Sequence, residues 1–69
     1  MQKYLLNVNM QSNGDYEVHT STCRYSPSQN FDDLGYHNTC SSAVQIAKTR
    51  HRYKRINGCY FCSNECHTT

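Results

Sequence analysis

The chain has few apolar residues and no long apolar run. Hydrophobic residues make up 36% of its 69 positions, and its mean hydropathy is −0.88. No stretch approaches the roughly 20 apolar residues of a membrane-spanning helix, so we expect no membrane partner. A chain of this length is predicted to form a single domain over residues 1–69, because a second core would not fit. So thin a core needs added support from a metal, a disulfide or a partner subunit.

A secretory signal is also lacking in the first ten residues, which have one lysine and neither a continuous apolar segment nor a small-residue cleavage site. We therefore expect a cytoplasmic protein whose thiols stay reduced. The five cysteines are an odd number, so one would remain unpaired in any set of internal disulfides. Both observations favour metal binding or catalysis over a disulfide framework.

The first half of the chain indicates strands. Side chains alternate between apolar and polar over residues 4–10 and 16–19, as in half-buried strands. Asn13-Gly14 between them supplies the positive φ angles of a hairpin turn. Residues 31–37 predict a weaker third strand, since they include two aspartates and a glycine. We expect a β-hairpin or a three-stranded antiparallel sheet.

A helix is the clearest element of the second half. Small and apolar side chains recur there with helical spacing, at Cys40, Ala43, Val44, Ala47 and His51. One of Asn38, Thr39 and Ser41 is expected to cap its N-terminus, and Asn57-Gly58 to end it. The predicted fold is α+β, with the helix packed on the sheet and a C-terminal Cys-x-x-Cys knuckle.

Two short motifs carry the strongest chemical signal. His19-x-x-x-Cys23 spans the end of the second predicted strand and the start of the loop after it, and Cys59-x-x-Cys62 follows the helix. One imidazole and three thiolates suit tetrahedral zinc, and each pair is spaced for local chelation. A shared ion would join the hairpin to the C-terminal segment. Because four protein ligands leave no open position, we expect a structural zinc rather than a catalytic one.

Other residues compete for these roles. Cys66 and His67 are alternatives to His19 as the fourth ligand, and Cys66 is otherwise the spare thiol. Cys40 lies on the apolar stripe of the helix, where a free cysteine packs as a small hydrophobic residue. The motifs do not choose between zinc and iron. A thioredoxin-like redox site does not fit, because its Cys-x-x-Cys belongs to a βαβ unit for which this chain is too short.

Positive charge is concentrated near the end of the predicted helix. Five of the seven lysine and arginine residues fall within eight positions, namely Lys48, Arg50, Arg52, Lys54 and Arg55. They are candidate contacts to the phosphates of a nucleic acid. The helix macrodipole alone also favours cations at a C-terminus, and the net charge of +2 is too small to imply a partner.

The motifs together resemble a group of small bacterial proteins. They are Val18-His19-x-x-x-Cys23, Leu34-Gly35-Tyr36, Cys40-x-x-Ala43-Val44-x-x-Ala47 and Gly58-Cys59-x-x-Cys62. More distantly, they resemble the zinc-binding N-terminal domain of the Ada DNA-repair protein. The resemblance implies that His19, Cys23, Cys59 and Cys62 bind the metal. In the repair domain the first cysteine accepts a methyl group from DNA, whereas here that position is His19, and a metal-bound imidazole lacks the nucleophilicity of a thiolate.

Two functions are compatible with these residues. The first is a non-catalytic structural-zinc module whose partner is a protein or a nucleic acid. The second is a thiol-based enzyme, or an Ada-like alkyl-accepting domain, with Cys66 or Cys40 as its nucleophile. A metal with four protein ligands favours the first function, because it leaves no place for a substrate.

Overall fold

A computed structural model of the chain describes residues 1–68. Its elements, in chain order, are β1 (Gln2–Asn7), β2 (Asp15–Thr20), β3 (Phe31–His37), the helix α1 (Cys40–Arg50), β4 (Arg55–Gly58) and a short 3₁₀ turn (Asn64–Cys66). The predicted α+β class is confirmed, with four strands in the sheet rather than three. Within residues 1–68, no helix has both the length and the apolar character needed to cross a bilayer.

The sheet is mixed, with strand order β3-β1-β2-β4. Strand β1 runs antiparallel to both β2 and β3, whereas β4 runs parallel to β2. Helix α1 therefore connects the two opposite edges of the sheet and crosses β1 and β2 on the way. Because β2 and β4 point in the same direction, the residues that follow each of them emerge at the same end of the sheet.

Strand β4 was not predicted, because its residues were assigned to the end of the helix. The helix instead ends at Arg50, where the His51 N–H donates to the Ala47 carbonyl at 2.9 Å. Residues 55–58 then pair with β2, with Ile56 beside Tyr16. Four residues are too few to show a period, and their partner strand lies about forty positions earlier. Pairing at that distance leaves no local pattern.

The hairpin also differs from its prediction in length. Strand β1 ends at Asn7 instead of Met10, so the connection to β2 is longer than a two-residue turn. Gly14 has the positive φ expected of it, at 93°. The loop is closed by Gln11, whose N–H donates to the Asp15 carbonyl at 2.8 Å and whose carbonyl accepts the Gly14 N–H at 2.9 Å.

The hydrophobic core lies between α1 and one face of the sheet. Its buried members are Tyr4, Leu6, Val18, Leu34, Cys40, Ala43 and Ala47. The helical face read from the sequence is confirmed at Cys40, Ala43 and Ala47, while Val44 and His51 are half-buried. The small alanine side chains let the helix approach the sheet closely. Thr39 occupies the N-cap position, although its side chain makes no capping hydrogen bond.

A disulfide joins Cys40, at the start of α1, to Cys66 in the 3₁₀ turn. This corrects the expectation that all cysteines stay reduced. It also corrects two residue roles, because Cys40 packs in the core as half of a cystine and Cys66 is not a spare thiol. Neither of them is a free nucleophile in this structure. The two cysteines are 26 positions apart. That separation by itself does not indicate that they are in contact.

Candidate metal centre

The two predicted half-sites meet at the end of the sheet where β2 and β4 terminate. His19 is in β2 and Cys23 lies in the loop that follows, while Cys59 comes directly after β4. The Cys59 N–H donates to the Val18 carbonyl at 2.9 Å, so the pairing of the two segments continues past the end of β4. The parallel pairing of β4 with β2 is therefore what brings the half-sites together.

The four predicted ligands form one compact group. One ligand atom from each of His19, Cys23, Cys59 and Cys62 lies within 4.8 Å of all the others. In particular, Cys62 Sγ is 3.8 Å from His19 Nδ1. Around a tetrahedral zinc ion with ordinary bond lengths, sulfur and nitrogen ligands are separated by about 3.6 Å and two sulfurs by about 3.8 Å. The group can therefore hold a metal ion after only small movements.

Backbone and side-chain donors point at the sulfur atoms. The Thr20 N–H donates to Cys62 Sγ at 3.4 Å, and the Ser63 hydroxyl donates to the same atom at 3.8 Å. Burial raises the pKa of the Cys59 thiol, while hydrogen bonds from the backbone N–H groups of Phe61 and Cys62 act in the opposite direction. Donors of this kind stabilise a thiolate, which is the form that binds a metal.

His19 is almost completely buried, with 1% of its surface exposed. Burial lowers the pKa of His19, because the charged imidazolium loses its hydration. The neutral imidazole that results is the form in which histidine coordinates a metal. Its Nε2 atom is buried without a hydrogen-bond partner among residues 1–68, and the nearest carboxylate oxygen is Glu17 Oε1 at 3.5 Å.

The two alternative ligands do not join this group. Cys66 is held in its disulfide, and His67 Nδ1 donates to the Gly58 carbonyl at 3.0 Å. His67 instead helps to fix the segment after the 3₁₀ turn against β4. Three features of the site were missed at the level of sequence: the donors to sulfur from Thr20 and Ser63, and the proximity of Glu17. Only the Glu17-x-His19 spacing, which places both side chains on one strand face, was a usable signal.

Of the predicted nucleic-acid contacts, Arg55 begins β4, at the end opposite Cys59, and several of the set are already engaged. Arg50 lies 3.1 Å from the Asp32 carboxylate, and Arg55 lies 3.1 Å from Asp15. Lys54 Nζ sits 4.8 Å from the centre of the Tyr16 ring. Lys48 and Arg52, both exposed, complete the set.

An exposed aromatic cluster, formed by Tyr25, Tyr60 and Phe61, covers the outside of the metal-ligand loops. Tyr25 stacks on Phe61 with ring centres 4.6 Å apart, and Tyr60 meets Phe61 edge to face at 5.2 Å. Each ring is at least half exposed. Tyr60 and Phe61 lie between Cys59 and Cys62. The positions of their rings therefore depend on the conformation of the Cys59–Cys62 turn.

The chain was compared with profiles of known protein families, with curated proteins and with solved structures. None of the three comparisons found a match. The similarity to Ada-like domains therefore stays a prediction from short motifs, and the function has to be argued from the site itself.

Proposed function

We propose that the protein is a non-catalytic binding module whose fold is held together by a structural zinc ion. The ligands are His19, Cys23, Cys59 and Cys62. The observation that carries the proposal is the convergence of these four ligand atoms to within 4.8 Å from segments about forty residues apart. A group of mainly sulfur ligands with one imidazole has the softness that selects zinc over harder cations.

The arrangement favours a structural role over a catalytic one. Four protein ligands complete a tetrahedral zinc site and leave no position for water or substrate. Two of the four ligands are buried: His19 is 1% exposed and Cys59 is 2% exposed. An ion there would clip β2 and its loop to the turn after β4. Zinc-binding free energies of about 10–16 kcal/mol in finger peptides are comparable to the whole stability of an ordinary domain.

We do not extend the proposal to alkyl transfer. His19 stands where the Ada-like pattern has its nucleophilic cysteine, and Cys40 and Cys66 are joined in a disulfide. A relation to the Ada zinc domain is proposed only for the metal ligands and for the α+β frame that carries them. The disulfide also favours an oxidising compartment over the cytoplasm that the sequence suggested, because cytoplasmic reductants open most such bonds.

Native mass spectrometry tests the metal site directly. The protein is purified without reductant, so that the Cys40–Cys66 disulfide stays intact, and is then measured before and after treatment with a chelator. We expect a mass increment of one zinc per chain that the chelator removes. Cys59→Ser should abolish zinc uptake and lower the free energy of unfolding of the domain, because three ligands hold the ion far less tightly.

The matched control for Cys59→Ser is the double variant Cys40→Ser/Cys66→Ser. It removes two cysteines outside the ligand group and should still bind one zinc. Wild-type protein that takes up no zinc, or zinc uptake that survives Cys59→Ser, would contradict the proposal.

Nucleic acid is the second candidate partner, and one observation favours it. Tyr53 is fully exposed beside Arg52, so an aromatic ring and a cation are presented together to solvent. Binding should then depend on Arg52, Tyr53 and Lys48 more than on Arg50 and Arg55, whose charges are offset by aspartates.

An electrophoretic mobility shift with a short single-stranded oligonucleotide measures this. We expect Arg52→Ala to weaken binding more than Arg50→Ala, and we expect binding to fall steeply as the salt concentration rises. Absence of a mobility shift at low salt would exclude nucleic acid as the partner. A protein would then be the remaining candidate partner.

A further inference from the structure

The two ring nitrogens of His19 face different neighbours. Nδ1 lies 3.8 Å from Cys62 Sγ, on the side of the four-ligand group. Nε2 lies 3.5 Å from Glu17 Oε1, on the other side of the ring. Glu17 and His19 are two positions apart in β2, so their side chains leave the strand on the same face.

The position of the proton follows from this arrangement. An imidazole that coordinates a metal through Nδ1 uses the lone pair there, and its remaining proton is then on Nε2. That N–H is buried, since the His19 side chain is 1% exposed, and residues 1–68 give Nε2 no hydrogen bond in the present arrangement. A buried N–H without an acceptor is unfavourable, so the bound state needs an acceptor at this atom.

We propose that Glu17 is the positioning residue of the metal centre. Its carboxylate accepts the hydrogen bond from His19 Nε2–H and thereby fixes the tautomer that presents Nδ1 to the ion. This inference rests on the proposed zinc site. In metal sites, a carboxylate commonly accepts a hydrogen bond from the second ring nitrogen of a metal-bound histidine. This hydrogen bond fixes the orientation of the ring and raises its basicity.

Glu17 is the carboxylate of β2 that lies beside His19 and can accept the hydrogen bond from Nε2–H. The other acidic residue of β2, Asp15, lies 3.1 Å from Arg55 and 3.2 Å from the Asn57 amide, at the far end of the strand. Glu17 is half-buried, and its Oε1 atom lies 3.5 Å from His19 Nε2. That distance exceeds an ordinary N–H···O hydrogen bond by about half an ångström, so the carboxylate has to move by about that much to accept the proton.

Zinc affinity of the disulfide-intact protein, measured by competition with a chromophoric chelator, provides the first test. We expect Glu17→Ala to weaken zinc binding about 10- to 100-fold, which is the usual effect of losing such a partner. Glu17→Gln should recover part of this loss, because the amide oxygen still accepts a hydrogen bond. The matched control is Glu65→Ala, which removes an exposed carboxylate of the 3₁₀ turn and should leave the affinity unchanged.

The second test identifies the coordinating nitrogen in the wild-type protein. The ¹⁵N-labelled wild-type protein is loaded with ¹¹³Cd²⁺, and the ¹¹³Cd–¹⁵N scalar coupling is observed. We expect the coupling at His19 Nδ1 and a slowly exchanging proton on Nε2, and we expect that proton to exchange faster in Glu17→Ala.

Three outcomes would overturn the inference. Coupling at Nε2 would exclude a hydrogen bond from that atom to Glu17. Equal zinc affinities of Glu17→Ala and Glu65→Ala would show that Glu17 has no positioning role, while the zinc site itself would stand. Wild-type protein that binds neither zinc nor cadmium would remove the zinc site together with this inference, and that failure is distinguishable from the other two.

Discussion

At the scale of single residues, His19 shows how the surroundings of a side chain decide its chemistry. Strand alternation places it on the face opposite Val18, where a solvated histidine would be ordinary. The structure covers that face with the segments that contain Cys23, Cys59 and Cys62. Burial then lowers the pKa of His19, so the imidazole stays neutral and able to bind a metal.

The pH dependence of stability in the metal-free protein follows from this pKa shift. The unfolded chain takes up a proton at His19 near its ordinary pKa of 6.5, whereas the folded chain does so only at lower pH. Between those two pH values the unfolded state binds more protons, so the free energy of unfolding falls as the pH falls. The contribution is fully present above pH 6.5 and is lost as the pH drops to the folded-state value. The loss amounts to about 1.4 kcal/mol for each unit by which burial lowers the pKa.

Urea unfolding of the chelator-treated protein across this pH range measures the effect. The matched variant is His19→Asn, which keeps a polar side chain of similar size but does not titrate. We expect the variant to lose the dependence near and below pH 6.5. The raised pKa of Glu17, caused mainly by its burial, gives a dependence of opposite sign at lower pH. Because Glu17 Oε1 lies 3.5 Å from His19 Nε2, the two proteins are compared near pH 6.5, where the His19 effect begins. Identical curves for the two proteins would contradict the assignment to His19.

At the scale of elements, β4 matters more than its four residues suggest. It delivers Cys59 beside β2, and its last residue, Gly58, is packed against the 3₁₀ turn. A Cβ atom at Gly58 would lie 2.6 Å from Cys66 Cβ and 2.7 Å from the Ser63 carbonyl oxygen. Both distances are shorter than van der Waals contact, so glycine is required here by space.

Gly58→Ala should therefore force the 3₁₀ turn away from β4. We expect a loss of about 1–3 kcal/mol in the free energy of unfolding, as for other overpacked sites, together with weaker zinc binding because Cys59 is the next residue.

Gly35→Ala is the control variant, since a Cβ there has open space and meets only the strain of a φ of +83°. It should cost about 1–2 kcal/mol and leave zinc affinity unchanged. Chemical denaturation and chelator competition on both variants measure the two quantities, and equal zinc affinities for the two would count against the packing argument.

Across the protein, a disulfide and the proposed zinc ion both act on the C-terminal segment, which packs against a small core. The Cys40–Cys66 disulfide ties the 3₁₀ turn to the start of α1, and an ion held by the four-ligand group would tie the preceding turn to β2. They lie on successive parts of the same segment. A chain with so few apolar residues gains from both, because each closes a loop that the unfolded chain would otherwise leave free.

The disulfide should contribute stability without being needed for metal binding. For a separation of 26 residues, the chain-entropy relation gives about 3.5 kcal/mol. We expect Cys40→Ser/Cys66→Ser to lower the free energy of unfolding of the zinc-loaded protein by up to this amount and to keep one zinc per chain. Denaturation monitored by circular dichroism, with native mass spectra of the same samples, gives both values. Loss of zinc from the double variant would instead show that the two cross-links act as one unit.

Local patterns in the amino-acid chain account for those parts of the fold that depend on neighbouring residues. Strand alternation gave β1 and β2, helical spacing gave the buried face of α1, and the His-x-x-x-Cys and Cys-x-x-Cys motifs named the four residues that meet in space. Tertiary contacts decide the strand β4, the Cys40–Cys66 disulfide and which ring nitrogen of His19 faces Glu17. The first two join residues far apart in sequence, whereas the third depends on the segments that pack over His19 and orient its ring. Such contacts are fixed by the path of the chain and by what packs over it, which no local pattern records.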